Sequence, residues 1–164
     1  MVRKSTANSA QDSVTPEQVL RRFRVVFNAV RTHFRQMEKQ VGLGGAQVWA
    51  LSIIKSNPGI GVGGIAQHMQ IHQSTASNLI KALQKRKFIE LIKAPEDRRN
   101  ICLKILPDGS KLLKNVSGPF EGVLPVALGD LNASTLKRLD KDLSELIVLL
   151  KADESGEQVL LASL

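Results

Sequence analysis

Gln73, Ser74, Thr75, Ser77, Asn78 and Lys81 place two amides, three hydroxyls and one ammonium within nine residues, with no carboxylate among them. Such a set is poor in acid–base chemistry and well suited to recognition. An amide can hydrogen-bond an adenine edge through both of its polar atoms. A hydroxyl suits a base or a phosphate, and Lys81 and Lys85 suit phosphates. Ala76, Leu79, Ile80 and Leu83 fall between them at helical spacing, so one helix would carry a polar face and an apolar face. Downstream, Glu96-Asp97-Arg98-Arg99 sets two guanidiniums behind two carboxylates. An arginine at the tip of a hairpin can enter a narrow minor groove, where the negative potential is enhanced.

Other constellations carry less. Gly59-Ile-Gly61-Val-Gly63-Gly64 matches the letters of a dinucleotide fingerprint. That motif needs a buried strand before it and a βαβ unit around it, and the surrounding pattern is helical. His68 and His72 are four apart but straddle an expected turn, with no cysteine or carboxylate nearby to complete a metal set. Cys102 falls on an expected strand, opposite the face of Ile101, Leu103 and Ile105, with Arg98, Arg99 and Lys104 near in sequence. A thiol-based redox sensor through Cys102 is therefore one alternative reading. No arrangement typical of an enzyme stands out, and no metal or cofactor is expected.

The elements that position these residues can be read from periodicity and caps. Thr15-Pro16-Glu17 is a helix start, and Phe23, Val26, Phe27, Val30, Phe34 and Met37 form one apolar face before Gly42. A second helix should run from about Ala46 to Ser56, and Ile60 to Val62 could be a brief strand. A third helix (about 64–69), a turn and a fourth (about 73–86) follow. Strands at 88–93 and 100–106 would flank a wing at 94–99. A fifth helix from Pro107 to about Leu128 contains Pro119 and Pro125 and should be bent or broken. Asn132 caps a sixth, with Leu136, Leu139, Leu143, Leu146, Ile147 and Leu150 as its apolar stripe.

That order predicts a mainly α fold with a small β wing: a winged helix-turn-helix whose N- and C-terminal helices form a dimerisation region. The expected layout is a flexible basic arm at 1–15, a helical dimerisation region at 16–42 and 107–152, a DNA-binding domain at 43–106 and a tail at 153–164. The chain has 164 residues and a formal net charge of +8. Residues 1–35 hold seven Lys/Arg against two Asp/Glu, and residues 70–100 hold seven against three. Residues 130–164 reverse the sign, with four against seven. The positive field thus lies on the arm and the helix-turn-helix, where a phosphate backbone would be attracted. No apolar run approaches the ~20 residues of a membrane helix, the start lacks a signal-peptide core, and a cytoplasmic location is expected.

Ile65-Ala66-Gln67-His68-Met69, then Gln73 through Leu83, then Ile89-Glu90 and Pro95-Glu96-Asp97-Arg98-Arg99-Asn100, resemble the MarR family of bacterial transcriptional regulators. The resemblance spans residues 17 to 152. It implies a homodimer on double-stranded DNA, with affinity often lowered by a small molecule such as an aromatic acid. It further implies Arg99 in the minor groove, Asp97 supporting the wing, and Arg98 on a phosphate or in an ion pair. Lys87 departs from the glycine usual after the recognition helix, so the turn there should be strained or differently shaped. Arg31, His33, Met37 and Trp49 are candidates for an effector crevice between the helical arms and the DNA-binding lobes. The function expected is a homodimeric repressor on a palindromic operator, released by an aromatic or anionic ligand. The alternatives to it are a DNA-binding protein without ligand response, or the redox sensor through Cys102.

Overall fold

The computed structural model describes residues 14–93, 101–152 and 159–163. The wing tip with Asp97, Arg98 and Arg99, most of the arm and the start of the tail lie outside them. The first helix, α1, spans Pro16–Val41. Thr15 caps it: its hydroxyl accepts from the Gln18 N–H, and the Gln18 side chain returns a bond to the Thr15 N–H at 3.0 Å. This reciprocal capping box satisfies two otherwise unpaired donors. Gly42 ends the helix at φ 67°, the left-handed conformation that glycine adopts without steric penalty.

The core is built around α2 (Gly45–Ser56), whose Val48, Ala50, Leu51 and Ile54 are at most 1% exposed. α2 packs against α1, α3 (Val62–Met69), α4 (Gln73–Lys85), α5 (Pro107–Lys114) and the second strand. Strands β1 (Ile89–Lys93) and β2 (Ile101–Ile105) pair antiparallel, with Ile89 opposite Ile105 and Lys93 opposite Ile101. Ile89 and Leu103 turn inward and close the core. The brief strand expected at Ile60 to Val62 is reduced to one bond, from the Leu103 N–H to the Ile60 carbonyl, because α3 already begins at Val62.

The expected fifth helix is broken into two. α5 ends at Lys114, and α6 spans Val123–Gly129. Between them the chain runs through Pro119 and Phe120, and Gly122 takes φ 111°. A Cβ on Gly122 would sit 2.8 Å from the Phe34 ring, so the break and α1 fit together only around a glycine. α7 (Ala133–Leu150) starts at Asn132, whose side chain accepts from the Thr135 N–H at 2.9 Å. The segment after it returns to the body: Leu160 packs against the core, and a 3-10 turn at Leu161–Ser163 lies on α1 and α2. No helix among the described residues is long and apolar enough to cross a membrane.

Candidate nucleic-acid interface

α3 and α4 form the helix-turn-helix. The turn is closed by bonds from the Gln70 N–H to the Gln67 carbonyl and from the Ile71 N–H to the Ala66 carbonyl. Gln70 takes φ 54°, and Ile71 is buried as the plug of the turn. This fixes the angle at which α4 leaves. Ala76, Ile80 and Leu83 bury one side of α4, at 0%, 3% and 0% exposure. The opposite side therefore faces out. Gln73, Ser74, Thr75, Asn78, Lys81 and Lys85 are all exposed, while Ser77 is half-buried at the edge of the face.

The first turn of α4 has no side-chain cap, so its N–H groups point outward beside Gln73, Ser74 and Thr75. Free donors and the positive end of the helix dipole there suit a phosphate. At the other end Arg86 does two things. Its Nη1 donates to the Gly42 carbonyl at 2.6 Å, and its guanidinium lies 5.4 Å from the centroid of the Phe88 ring. It thereby ties the end of α4 to the end of α1, 44 residues away. Sequence reasoning placed Arg86 only as the last helical residue; nothing local marks a bond over that separation.

Lys87 adopts φ 59°, as the departure from glycine implied. Its N–H bonds the Gln84 carbonyl, and the Phe88 N–H bonds the Leu83 carbonyl. This is the paired closure of a helix that normally ends in glycine. The chain then enters β1. Glu90 and Lys104 sit opposite each other and meet at 2.9 Å, an exposed pair that contributes little to stability. Cys102, opposite Ile92, is half-buried, in line with its expected position away from Leu103.

The four effector candidates do not converge. Met37 is 2% exposed within the core. His33 bonds the Pro119 carbonyl through Nε2 at 2.9 Å and meets Phe34 edge-on. Trp49 lines a small hollow with Ser52, Pro119, Phe120 and Glu121. Arg31 opens on a different side, into a cavity of about 650 Å³ with Arg24, Val25, Phe27, Asn28, Val30 and Leu161. His33 and Trp49 thus share the loop between α5 and α6, whereas Met37 and Arg31 lie elsewhere. His68 and His72 are exposed on either side of the turn, and among the described residues no group of three or more His, Cys, Asp or Glu could hold a metal.

Residues 41–100 match the family profile of the MarR family. A Bacillus subtilis (strain 168) protein, the uncharacterized HTH-type transcriptional regulator YsmB, is 33% identical over 55 residues, 34% of this chain and 38% of its own length. The matched stretch thus spans little more than a third of that relative. Among solved structures, the Staphylococcus aureus MepR–DNA complex superposes with a TM-score of 0.56 at 17% identity, over 83% of this chain and 96% of MepR. A MepR-like protein complexed with pseudoligands gives 0.55 at 13% identity, over 84% and 98%. YusO from Bacillus subtilis gives 0.51 at 18%, over 81% and 97%. At these identities the likeness establishes the fold: mainly helical with a small β wing, as expected from the sequence.

Proposed function

We propose that this protein is a DNA-binding transcriptional regulator, since residues 41–100 match the profile of the MarR family. In this reading it is a homodimeric repressor on a palindromic operator, released by a small aromatic or anionic ligand. The observation that carries the DNA reading is the outer face of α4, with Gln73, Ser74, Thr75, Asn78 and Lys81 exposed on a helix anchored by Ala76, Ile80 and Leu83. Such a face offers amides to base edges and a lysine to phosphates. The DNA complex of MepR, which shares the fold, supports the same assignment. In this reading Arg99 enters the minor groove, Arg98 meets a phosphate or joins an ion pair, and Asp97 supports the wing. The role is binding, and its place is the cytoplasm, with the DNA.

Two copies join through residues 16–42 and 107–152. The apolar stripe of α1 supports this. Its C-terminal part, Val30, Phe34 and Met37, is buried within the chain, whereas Leu20, Val26 and Phe27 continue the stripe and are 50%, 40% and 52% exposed. A second copy laid over that half, and over the exposed stripe of α7, would complete it. The complex of a MepR-like protein with pseudoligands supports a ligand response. Such a ligand releases DNA only to the extent that it prefers the released arrangement of the two lobes.

Selection from random duplex DNA at near-physiological salt tests the reading. The expected product is a palindrome with half-sites about one helical turn apart. Gln73→Ala or Asn78→Ala should then weaken binding by about 1–3 kcal/mol per lost bidentate contact and relax preference at one position. Retention of every sequence alike would overturn the operator reading.

A further inference from the structure

Gly42, Leu43 and Gly44 alone link α1 to α2. Gly42 takes φ 67°, where glycine avoids strain. Gly44 sits at φ −59°, and an added Cβ there would meet nothing within 4 Å. Neither conformation nor packing asks for glycine at 44. What it leaves is backbone freedom, between the arm that α1 forms and the lobe built on α2. Leu43, 1% exposed, fixes the midpoint of the link, so turning is confined to the glycines on either side of it.

Arg86 closes that joint from outside. α1 packs chiefly on α2 and α6, and α4 on α2, α3 and β1, so α1 and α4 meet at their ends and not along their lengths. The Arg86 Nη1 donates to the Gly42 carbonyl at 2.6 Å, and its Nη2 lies 3.9 Å from where a Cβ on Gly42 would stand. One exposed hydrogen bond is weak by itself. Here the guanidinium also lies over the Phe88 ring and faces the negative end of a 26-residue helix. Lys87, at φ 59°, ends α4 directly after it, which holds the Arg86 backbone where the bond is made.

We propose that Arg86 is a positioning residue that bolts the DNA-binding lobe to the α1 arm across the 42–44 link, and so sets the separation at which two lobes read two half-sites. This role rests on the reading of a DNA-binding dimer above and names the residue that fixes its geometry. Arg86 then governs the spacing between half-sites, not the bases within them, and adds no phosphate contact.

The test uses the full chain in a Cys102→Ser background. Spin labels at Ala29→Cys on the arm and Ser74→Cys on the lobe, both exposed positions, report the distance within one chain when labelled protein is diluted into excess unlabelled protein. The distribution should be narrow with Arg86 and at least twice as wide in Arg86→Ala, whose exposed site tolerates the change. Arg86→Lys keeps a charge and a donor but loses the planar fork, and should fall between the two. On DNA, the wild type should prefer its selected half-site spacing over the same site with one added base pair by tenfold or more. Arg86→Ala should cut that preference to threefold or less, with base preference and the slope of log affinity against log salt unchanged. A distribution in Arg86→Ala as narrow as that of the wild type overturns the proposal, as does an unchanged preference for spacing. So does a fall of about 0.9 in the salt slope, which would make Arg86 a phosphate contact. The two readings fail separately. A wild type that selects no spaced palindrome sinks the operator reading, while the label distances, measured without DNA, still decide whether Arg86 holds the joint.

Discussion

Lys87→Gly should make the protein more stable. Lys87 is exposed, and its backbone holds φ 59° to make the two bonds that close α4. A left-handed conformation costs a residue with a Cβ about 1–2 kcal/mol. Glycine avoids that strain, but its greater freedom in the unfolded chain returns about 0.4–1 kcal/mol. The difference favours the variant by about 0.5–1 kcal/mol. For a chain of this size that is a rise of roughly 1–4 °C in Tm. Circular dichroism melts at one fixed protein concentration would measure it, since association also moves Tm. Lys87→Ala keeps the strain and should show no such gain. A melt of Lys87→Gly at or below the wild-type temperature, with the fold intact, would refute the reasoning. The same variant has a second readout. Lys87 sits at the end of the proposed recognition helix, so its loss should reduce the slope of log affinity against log salt by about 0.9 if it neutralises one phosphate. A residue held in strain at a binding surface is expected to serve that surface.

Gly45→Ala should destabilise by about 1–3 kcal/mol, because its Cβ would overlap the Phe34 ring. Phe34→Leu in the same chain should recover part of that loss, and denaturant titration of the four-variant cycle would show coupling above ~0.5 kcal/mol. Ile147→Glu, at a position 41% exposed in the single chain, should leave the helical content intact and abolish the dimer in sedimentation. A persistent dimer would move the interface off α7. Hydrogen bonding to its own backbone N–H, and then to Thr15, holds the Glu17 carboxyl below its ordinary value. A depressed folded value stabilises above the unfolded one and is lost as pH falls through it. Protection of the first-turn amides of α1, taken relative to their intrinsic exchange rate at each pH, should therefore fall on acidification below about pH 4, and Glu17→Gln should remove that dependence.

Much of the outer face of α4 was legible because its signals are local. The alternation of Ala76, Ile80 and Leu83 with polar residues defines α4, and the caps at Thr15, Gly42 and Asn132 lie within a turn of the helices they start or stop. What escaped depends on distant pairs. His33 meets a carbonyl 86 residues away, and Arg86 one 44 residues away. Grouping Arg31 with His33 ignored that residues two apart on a helix face different sides. Leu160 and Leu161 read as the apolar end of a polar tail, yet one joins the core and the other walls a cavity. The break between α5 and α6 was visible in Pro119 and Pro125, but its fit against Phe34 was not.

The buried hydrophobic residues run from Val30 to Val116, and neither α6 nor α7 contributes one. α7 is 18 residues long, and Leu136, Leu143, Ile147 and Leu150 stand 36–66% exposed on it. Propensity alone does not hold a helix of that length in water; packing of an apolar face does. The N-terminal half of α1 is in the same position, with its stripe open from Leu20 to Phe27. One chain therefore folds its winged helix around α2 and leaves both arms without the surface that would fix them. If a second copy supplies that surface, association and arm stability are one equilibrium, and the spacing of the two α4 helices is set by the same contacts. Those contacts would reach the helix-turn-helix through α1, because its far end is tied to α4 through Arg86 and Gly42.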